Sequence, residues 1–408
     1  MINIINGNIT SAKGFMAAAT AAHIKYDNRD DMALIYSKSP CVAAGTYTSN
    51  LVKAAPVIWD RKITESNVCP RAIVINSGIA NACTKKEGLE SVKKSALKVA
   101  QTLNINAEEV LVASTGVIGM PLPIDKITDG IEKLSKKLDD SYEAGVAASK
   151  AIMTTDTKNK QVALTFVIGG KTVTMGGICK GSGMIHPNMC TMLSFVTCDV
   201  AITKEMLTKA VKEDVIDTYN MISVDGDTST NDTLLVLANG EAANPIIDKE
   251  GEDFEIFRQA LHYVNETLAK KMAADGEGAS ALFEVEVINA KSKEDARILA
   301  KSVVTSSLTK AAIYGHDANW GRILCALGYS GACFDPDNIK LYFESDAGKI
   351  LIYEDGGATD YSEEEATKIL SQSAVKVTAD MNQGEYSATA WGCDLTYDYV
   401  KINADYRS

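Results

Sequence analysis

Apolar residues along this chain change period repeatedly, and the changes mark out strands and helices in mixed order. Residues 33–36, 42–48 and 72–76 are short apolar runs of strand length, and 107–113 leads into a further buried strand. Apolar spacing is helical over 86–103, 125–137 and 142–153. The clearest hairpin joins 161–168 to 172–175, two β-rich runs linked through Gly169 and Gly170. Beyond it, 192–199 and 234–237 read as strands, and 203–216 and 253–274 as helices. The last third predicts a strand at 283–288, one helix over 293–314 and a short apolar segment at 322–327. A second hairpin (340–344 with 349–353) and late strands at 375–381 and 385–395 follow. Ser362 and Glu365 have capping-box spacing for a helix reaching 370. No repeat and no Pro/Ser-rich linker divides the chain. Hairpins with helices bunched between them predict an α+β fold with mixed, largely antiparallel sheets.

Two buried strands end in polar turns, at Asn76-Ser-Gly-Ile-Ala-Asn81 and at Ser114-Thr115-Gly116-Val-Ile-Gly119. Each is either a strand-to-helix turn or a place where the sheet holds polar groups open to a ligand. In the second, a hydroxyl and a glycine amide lie together and could face a developing oxyanion. The polar cluster Thr154-Thr-Asp-Thr157 closes a helix as either a cap or a binding edge.

Hydrophobic residues make up 46% of the 408 and charged residues 23%, the mixture of a globular protein with a full-sized core. A net charge of −12 argues against nucleic acid or an anionic membrane as partner, since both reward a basic face. No run approaches the 18 apolar residues of a membrane span, and the N-terminus lacks the pattern of a secretory signal. Nine cysteines occur without a C-x-x-C pair, so reduced thiols and a cytoplasmic location are expected.

Standard motifs fall away. Gly181-Ser-Gly183 lacks the third glycine of a dinucleotide fingerprint, and Lys180 precedes the glycines instead of following them as in a P-loop. Asp225-Gly-Asp227 opens like a calcium loop, but Thr230 and Val236 replace its turn glycine and final glutamate. His23, His186, His262 and His316 lack metal spacing, and no G-x-S-x-G elbow exists. No metal site and no cofactor is therefore expected. What survives is Lys180-Gly-Ser-Gly-Met-Ile-His-Pro-Asn-Met-Cys190-Thr191-Met-Leu-Ser-Phe195, a glycine-loosened loop that runs into an apolar strand. A chain cut before Thr191 would begin that strand with a threonine whose own α-amine, titrating near pH ~8, can act as base for its hydroxyl.

These stretches resemble, over essentially the full length, the glutamate N-acetyltransferase / ornithine acetyltransferase family of arginine biosynthesis. The residues that carry the resemblance are Lys180 to Leu193, Ser114 to Gly119, Met153 to Thr157, Ser223 to Thr233, Gly315 to Arg322 and Trp391 to Ser408. The resemblance implies an N-terminal-nucleophile-like layered α/β sandwich of the DmpA/ornithine acetyltransferase type. It implies a precursor that cuts itself between Cys190 and Thr191 into an α chain (1–190) and a β chain (191–408), the latter with a C-terminal α/β subdomain from about 285. Two of each would assemble as α2β2. Acetyl would pass from N2-acetylornithine to L-glutamate through an acetyl-enzyme, giving L-ornithine and N-acetylglutamate. Some family members also take acetyl from acetyl-CoA as co-substrate, and no residue here separates the two behaviours.

Carried over position by position, Thr191 is the nucleophile, and Thr115 and Gly116 form the oxyanion hole. Thr154, Lys180, Thr191, Glu277, Asn403 and Ser408 contact substrate. Lys180 and Glu277 would meet the opposite charges of the two amino acids. Cys190 departs from the family, which generally has alanine there; both are small, so cleavage is expected to survive. The alternative is an N-terminal-nucleophile amidase or aminopeptidase with water as acceptor. A scaffold without activity would have lost the hydroxyls of Thr191, Thr115 and Thr154, and all three are present.

Overall fold

The computed structural model describes residues 2–186 and 192–405. Three sheets carry the structure. The first orders β1 (Asn3–Ile5), β7 (Lys160–Ile168), β8 (Lys171–Lys180), β9 (Leu193–Cys198), β11 (Thr233–Ala238) and β4 (Val42–Tyr47). The second is β2 (Phe15–Thr20), β3 (Met32–Ser37), β5 (Ala72–Asn76) and β6 (Val110–Ser114). The third runs β10 (Ile222–Ser223), β17 (Tyr386–Cys393), β12 (Leu282–Ala290), β16 (Ala374–Asp380), β13 (Lys340–Ser345), β14 (Gly348–Glu354) and β15 (Gly357–Ala358). Among the named strands of the described residues, pairing is parallel at β5/β6, β9/β11, β10/β17 and β12/β16 and antiparallel elsewhere. The expected mixed, largely antiparallel α+β architecture is therefore the one observed.

Side-chain alternation shows how the layers stack, because neighbours along a strand face opposite sides. In β9, Leu193 and Phe195 join one core with Leu235 and Leu237 of β11 and with Ala33, Ile35, Ile73 and Ile75 of the second sheet. Val196 and Cys198 turn the other way, into a core shared with helices α5 (Lys204–Asp217) and α6 (Glu252–Ala274). In the second sheet, Leu34, Val74 and Val112 likewise face α2 (Lys85–Leu103) and α3 (Ile124–Ser135). Two sheets thus pack face to face between helical layers, which is why β5, β6, β9 and β11 are buried at every position. The third sheet continues the core on the far side of α6, with α7 (Lys293–Thr305) against it. No helix among the described residues is long and apolar enough to cross a membrane.

Most predicted elements lie within a few residues of the observed ones. The helix expected over 293–314 is instead two, α7 and α8 (Ser307–Tyr314). Ser306 adopts an extended backbone (φ −65°, ψ 112°), and its hydroxyl accepts from Thr309 N at 3.3 Å. The hydroxyl caps a new helix where apolar periodicity alone continues the old one. α9 (Trp320–Gly328) and α10 (Glu363–Leu370) fall where expected, and Ser362 Oγ caps the latter by accepting from Glu365 N. β2, α1 (Ala55–Thr64), α4 (Tyr142–Ala151) and α11 (Tyr397–Asp405) complete the elements, and the sequence reading assigned neither β2, α1 nor α11. Half of β2 is alanine, which gives little periodic contrast, and α11 buries none of its residues.

Candidate active site

Lys180 ends β8 and pairs in register with Leu193 at the start of β9, so the 181–192 connection leaves and rejoins the sheet at one spot. The turns after β5 and β6 reach the same end of the sandwich and continue their parallel pairing through an Ile79–Val117 bridge. Ala80 N–H donates to Val117 O and Val117 N–H to Gly78 O, at 2.9 and 3.0 Å. Asn231, after β10, clamps both turns: its Nδ2 donates to Ala80 O at 2.5 Å and Ser114 O at 2.8 Å.

A cavity of about 130 Å³ opens between these turns. Thr115, Gly116, Thr154, Lys180, Glu277 and Asn403 all line it, together with Met192, the residue bonded to Thr191. Six predicted site residues from distant parts of the chain are thus brought together. Thr191, Cys190 and Ser408 lie outside the described residues.

The Thr115–Gly116 pair offers its two donors unequally. Thr115 N–H is tied to Asn76 O at 3.0 Å, so only its hydroxyl is left to face the cavity. The Gly116 amide has no acceptor among the described residues. Gly116 has φ +127°, and a Cβ on it would stand 2.2 Å from the Gly78 carbonyl carbon. Only glycine permits that backbone and that closeness. Lys180 Nζ donates to Thr154 Oγ1 at 2.9 Å and to Thr115 Oγ1 at 3.5 Å. A hydroxyl that accepts from an ammonium keeps its own proton for another acceptor, so Thr115 is set up as a donor.

On the cavity's other side Glu277 is buried, with its carboxylate over Gly183, where a Cβ would meet it at 2.3 Å. Its Oε2 accepts from Asn403 Nδ2 at 2.8 Å. The cavity is therefore lined by a lysine at the end of β8 and a glutamate that follows α6, Lys180 and Glu277.

Three charged residues that the sequence reading did not single out lie beneath. Asp156 accepts from Gly181 N–H on Oδ1 at 2.7 Å and from Thr154 N–H on Oδ2 at 3.0 Å, with Lys180 Nζ 3.9 Å from Oδ2. Lys160, 1% exposed, bridges Asp156 at 2.7 Å and Asp275 at 2.6 Å. Asp275 also accepts from Thr157 N–H, the Thr157 hydroxyl and Lys158 N–H. Burial opposes ionisation of Asp156, but the Lys180 and Lys160 ammonium groups outweigh it and hold the carboxyl well below its usual range. Burial likewise opposes the Lys160 charge, yet Asp156, Cys179 and Asp275 raise its pKa on balance. Asp156 and Asn231 both fall within quoted sequence blocks, but nothing in their spacing marks them as the residues that hold the site.

The ArgJ family matches residues 16–408. Arginine biosynthesis bifunctional protein ArgJ 1 of Clostridium acetobutylicum is 54% identical over 404 residues, 99% of this chain and 98% of the relative. The bifunctional ArgJ of Caldanaerobacter subterraneus subsp. tengcongensis is 52% identical over 407 residues, 100% of each. Among solved structures, the bifunctional protein argJ from Bacillus halodurans matches with a TM-score of 0.50 and 46% identity, over 52% of this chain and 98% of that one. The chain belongs to the ArgJ family. The resemblance read from the six sequence blocks is borne out, and with the family comes the expected class of enzyme, an acyltransferase of arginine biosynthesis.

Proposed function

We propose that this cavity moves an acetyl group from N2-acetylornithine to L-glutamate through an ester on Thr191. The convergence of Thr115, Gly116, Thr154, Lys180, Glu277 and Asn403 on one cavity beside Met192 carries this reading. The Thr191 α-amine takes the hydroxyl proton as Oγ attacks the acetyl carbonyl. Gly116 N–H and the Thr115 hydroxyl receive the oxyanion, where one donor is worth about 3–4 kcal/mol. The C–N bond breaks, ornithine leaves with the proton, and the α-amine of glutamate then attacks the ester to release N-acetylglutamate and restore the threonine. Lys180 and the neighbouring hydroxyls hold the α-carboxylate common to both amino acids, and Glu277 with Asn403 meets the ornithine side-chain ammonium. Acetyl-CoA is a second donor in this reading, in keeping with relatives named bifunctional.

The nucleophile requires a cut at Cys190–Thr191, giving α (1–190) and β (191–408) chains that work in the cytoplasm as α2β2. A solved relative whose chain is roughly half as long as this one supports a cut precursor. The cut would leave the site intact, because β8/β9 and β4/β11 pairing and the Lys160–Asp275 ion pair all cross it. Denaturing mass spectrometry should therefore show two fragments, and native mass spectrometry should show them still together. A single intact chain in fully active protein would count against the reading. The purified enzyme should make N-acetylglutamate from acetylornithine and glutamate, and also from acetyl-CoA and glutamate. Release of free acetate at the same rate without glutamate would favour the hydrolase instead.

Glu277→Gln tests the charge assignment. It keeps the shape but loses the ionic acceptor, and a hydrogen bond to a charged group contributes about 1.5–3 kcal/mol. KM for acetylornithine should rise by at least about tenfold while the half-reaction with glutamate changes less. An unchanged KM for acetylornithine removes Glu277 from that role.

A further inference from the structure

Residues 184–186, just ahead of the proposed cut, are gripped by a loop that the acetyl-transfer steps do not call on. Met184 N–H donates to Asp225 Oδ2 at 2.6 Å and Ile185 N–H to Asp225 Oδ1 at 2.9 Å. Val224 N–H returns a bond to Ile185 O at 2.7 Å, and Ile185 and Thr228 form an antiparallel bridge. The Thr228 hydroxyl donates to His186 O at 2.8 Å, and His186 Nδ1 lies 3.1 Å from Ser223 Oγ. Three consecutive residues are therefore fixed in position and direction by residues 223–228. Met184 needs such support, because it holds a left-handed backbone (φ +55°) that non-glycine residues seldom adopt. Asp225 supplies both carboxylate oxygens to this grip, and its third backbone donor, Asp227 N–H at 3.2 Å, comes from its own loop. Neither Asp225 nor Thr228 lines the cavity, whereas Met184 and Ile185 do.

We infer that Asp225 is a positioning residue for self-cleavage, and that Thr228 assists it. The inference rests on the proposed cut. In that step Thr191 Oγ–H adds to the Cys190 carbonyl carbon, the Cys190–Thr191 C–N bond breaks, and the hydroxyl proton passes to the departing amine. The ester so formed takes up one water, leaving a carboxyl group on Cys190 and a free hydroxyl on Thr191. An intramolecular attack of this kind depends on the angle at which the chain arrives, and a misplacement of about 1 Å can cost on the order of 100-fold. The grip fixes 184–186, the segment from which the chain leads on to the proposed cut. Once the bond is broken the constraint has no further chemical task, so its loss should slow cutting and spare transfer.

Asp225→Ala, Asp225→Asn and Thr228→Val precursors made by cell-free synthesis can be quenched at intervals and resolved on denaturing gels. Asp225→Ala should cut about 10- to 100-fold more slowly than the parent. Asp225→Asn, which keeps one acceptor oxygen, should fall between them, and Thr228→Val should also be slow. Transfer kcat per cut molecule should match the parent in all three. Equal cutting rates overturn the inference, and so does a matching fall in kcat per cut molecule, which would make Asp225 a general support of the site. If Asp225→Ala does not fold, the other two variants decide the matter by the same comparison. A parent chain that never cuts refutes the proposed function itself and is thereby distinguished from failure of the Asp225 role.

Discussion

Replacing Thr191 by alanine should leave a single chain of 43.7 kDa with acetyl transfer reduced by at least about 10⁴-fold. Two losses combine in one atom. Without the hydroxyl, the precursor has no group to attack the Cys190 carbonyl, so no α-amine is released to act as base. Without it, no acetyl ester can form even on a cut chain. The oxyanion donors and the Lys180 and Glu277 charges remain, so acetylornithine should still bind, and the uncut chain should melt as a folded protein. Thr191→Ser separates the losses, because it keeps the hydroxyl and should both cut and transfer at a reduced rate. A Thr191→Ala chain that still appears as two fragments, or still transfers acetyl, would place the nucleophile elsewhere.

How much of this was legible in the chain depended on whether a feature is local. The Gly169-Gly170 hairpin, the helix at 85–103 and the strands of the paired sheets carry their own periodicity or turn residues, and they lie close to where the spacing places them. The break at Ser306 does not, since a cap occupies one residue while apolar spacing runs through it. Helix α11 escaped for the opposite reason: none of its residues is buried, so no apolar stripe announces it. Yet it delivers Asn403 to Glu277. Thr115, Gly116, Thr154 and Lys180 stand in polar turns and a glycine loop that the chain itself marks as candidates, and the family resemblance assigns their roles, because it registers what chemistry demands of individual positions. Their support was not found that way. Asn231 reaches two turns more than 100 residues away, and Lys160 joins Asp156 to a partner 115 residues on. Periodicity cannot express a contact between segments so distant. It can say that a buried lysine is costly, but not which carboxylates will surround it.

That buried group makes Asp156 the other position where a single change should be severe. Asp156, Asp275, Lys160 and Lys180 balance two negative against two positive charges in a space nearly closed to water. Asp156→Ala leaves one positive charge in excess and deprives the Thr154 and Gly181 amides of their acceptor. Breaking a buried pair by removing one partner costs about 3–5 kcal/mol, so the thermal midpoint should drop sharply. Activity should fall further than stability accounts for, because Lys180 and Thr154 lose the carboxylate that aligns them. The double variant Asp156→Asn/Lys160→Met separates these effects. It removes one charge of each sign, so the cavity floor is neutral again and part of the lost stability should return, a coupling on the order of 0.5–3 kcal/mol in a double-mutant cycle. The amide side chain still cannot accept from both backbone N–H groups while attracting Lys180, so kcat should stay low in the stabilised protein. Recovery of stability and kcat together would mean that Asp156 serves only the fold. Recovery of stability alone would show that the same carboxylate that neutralises Lys160 also aims Lys180 at the substrate.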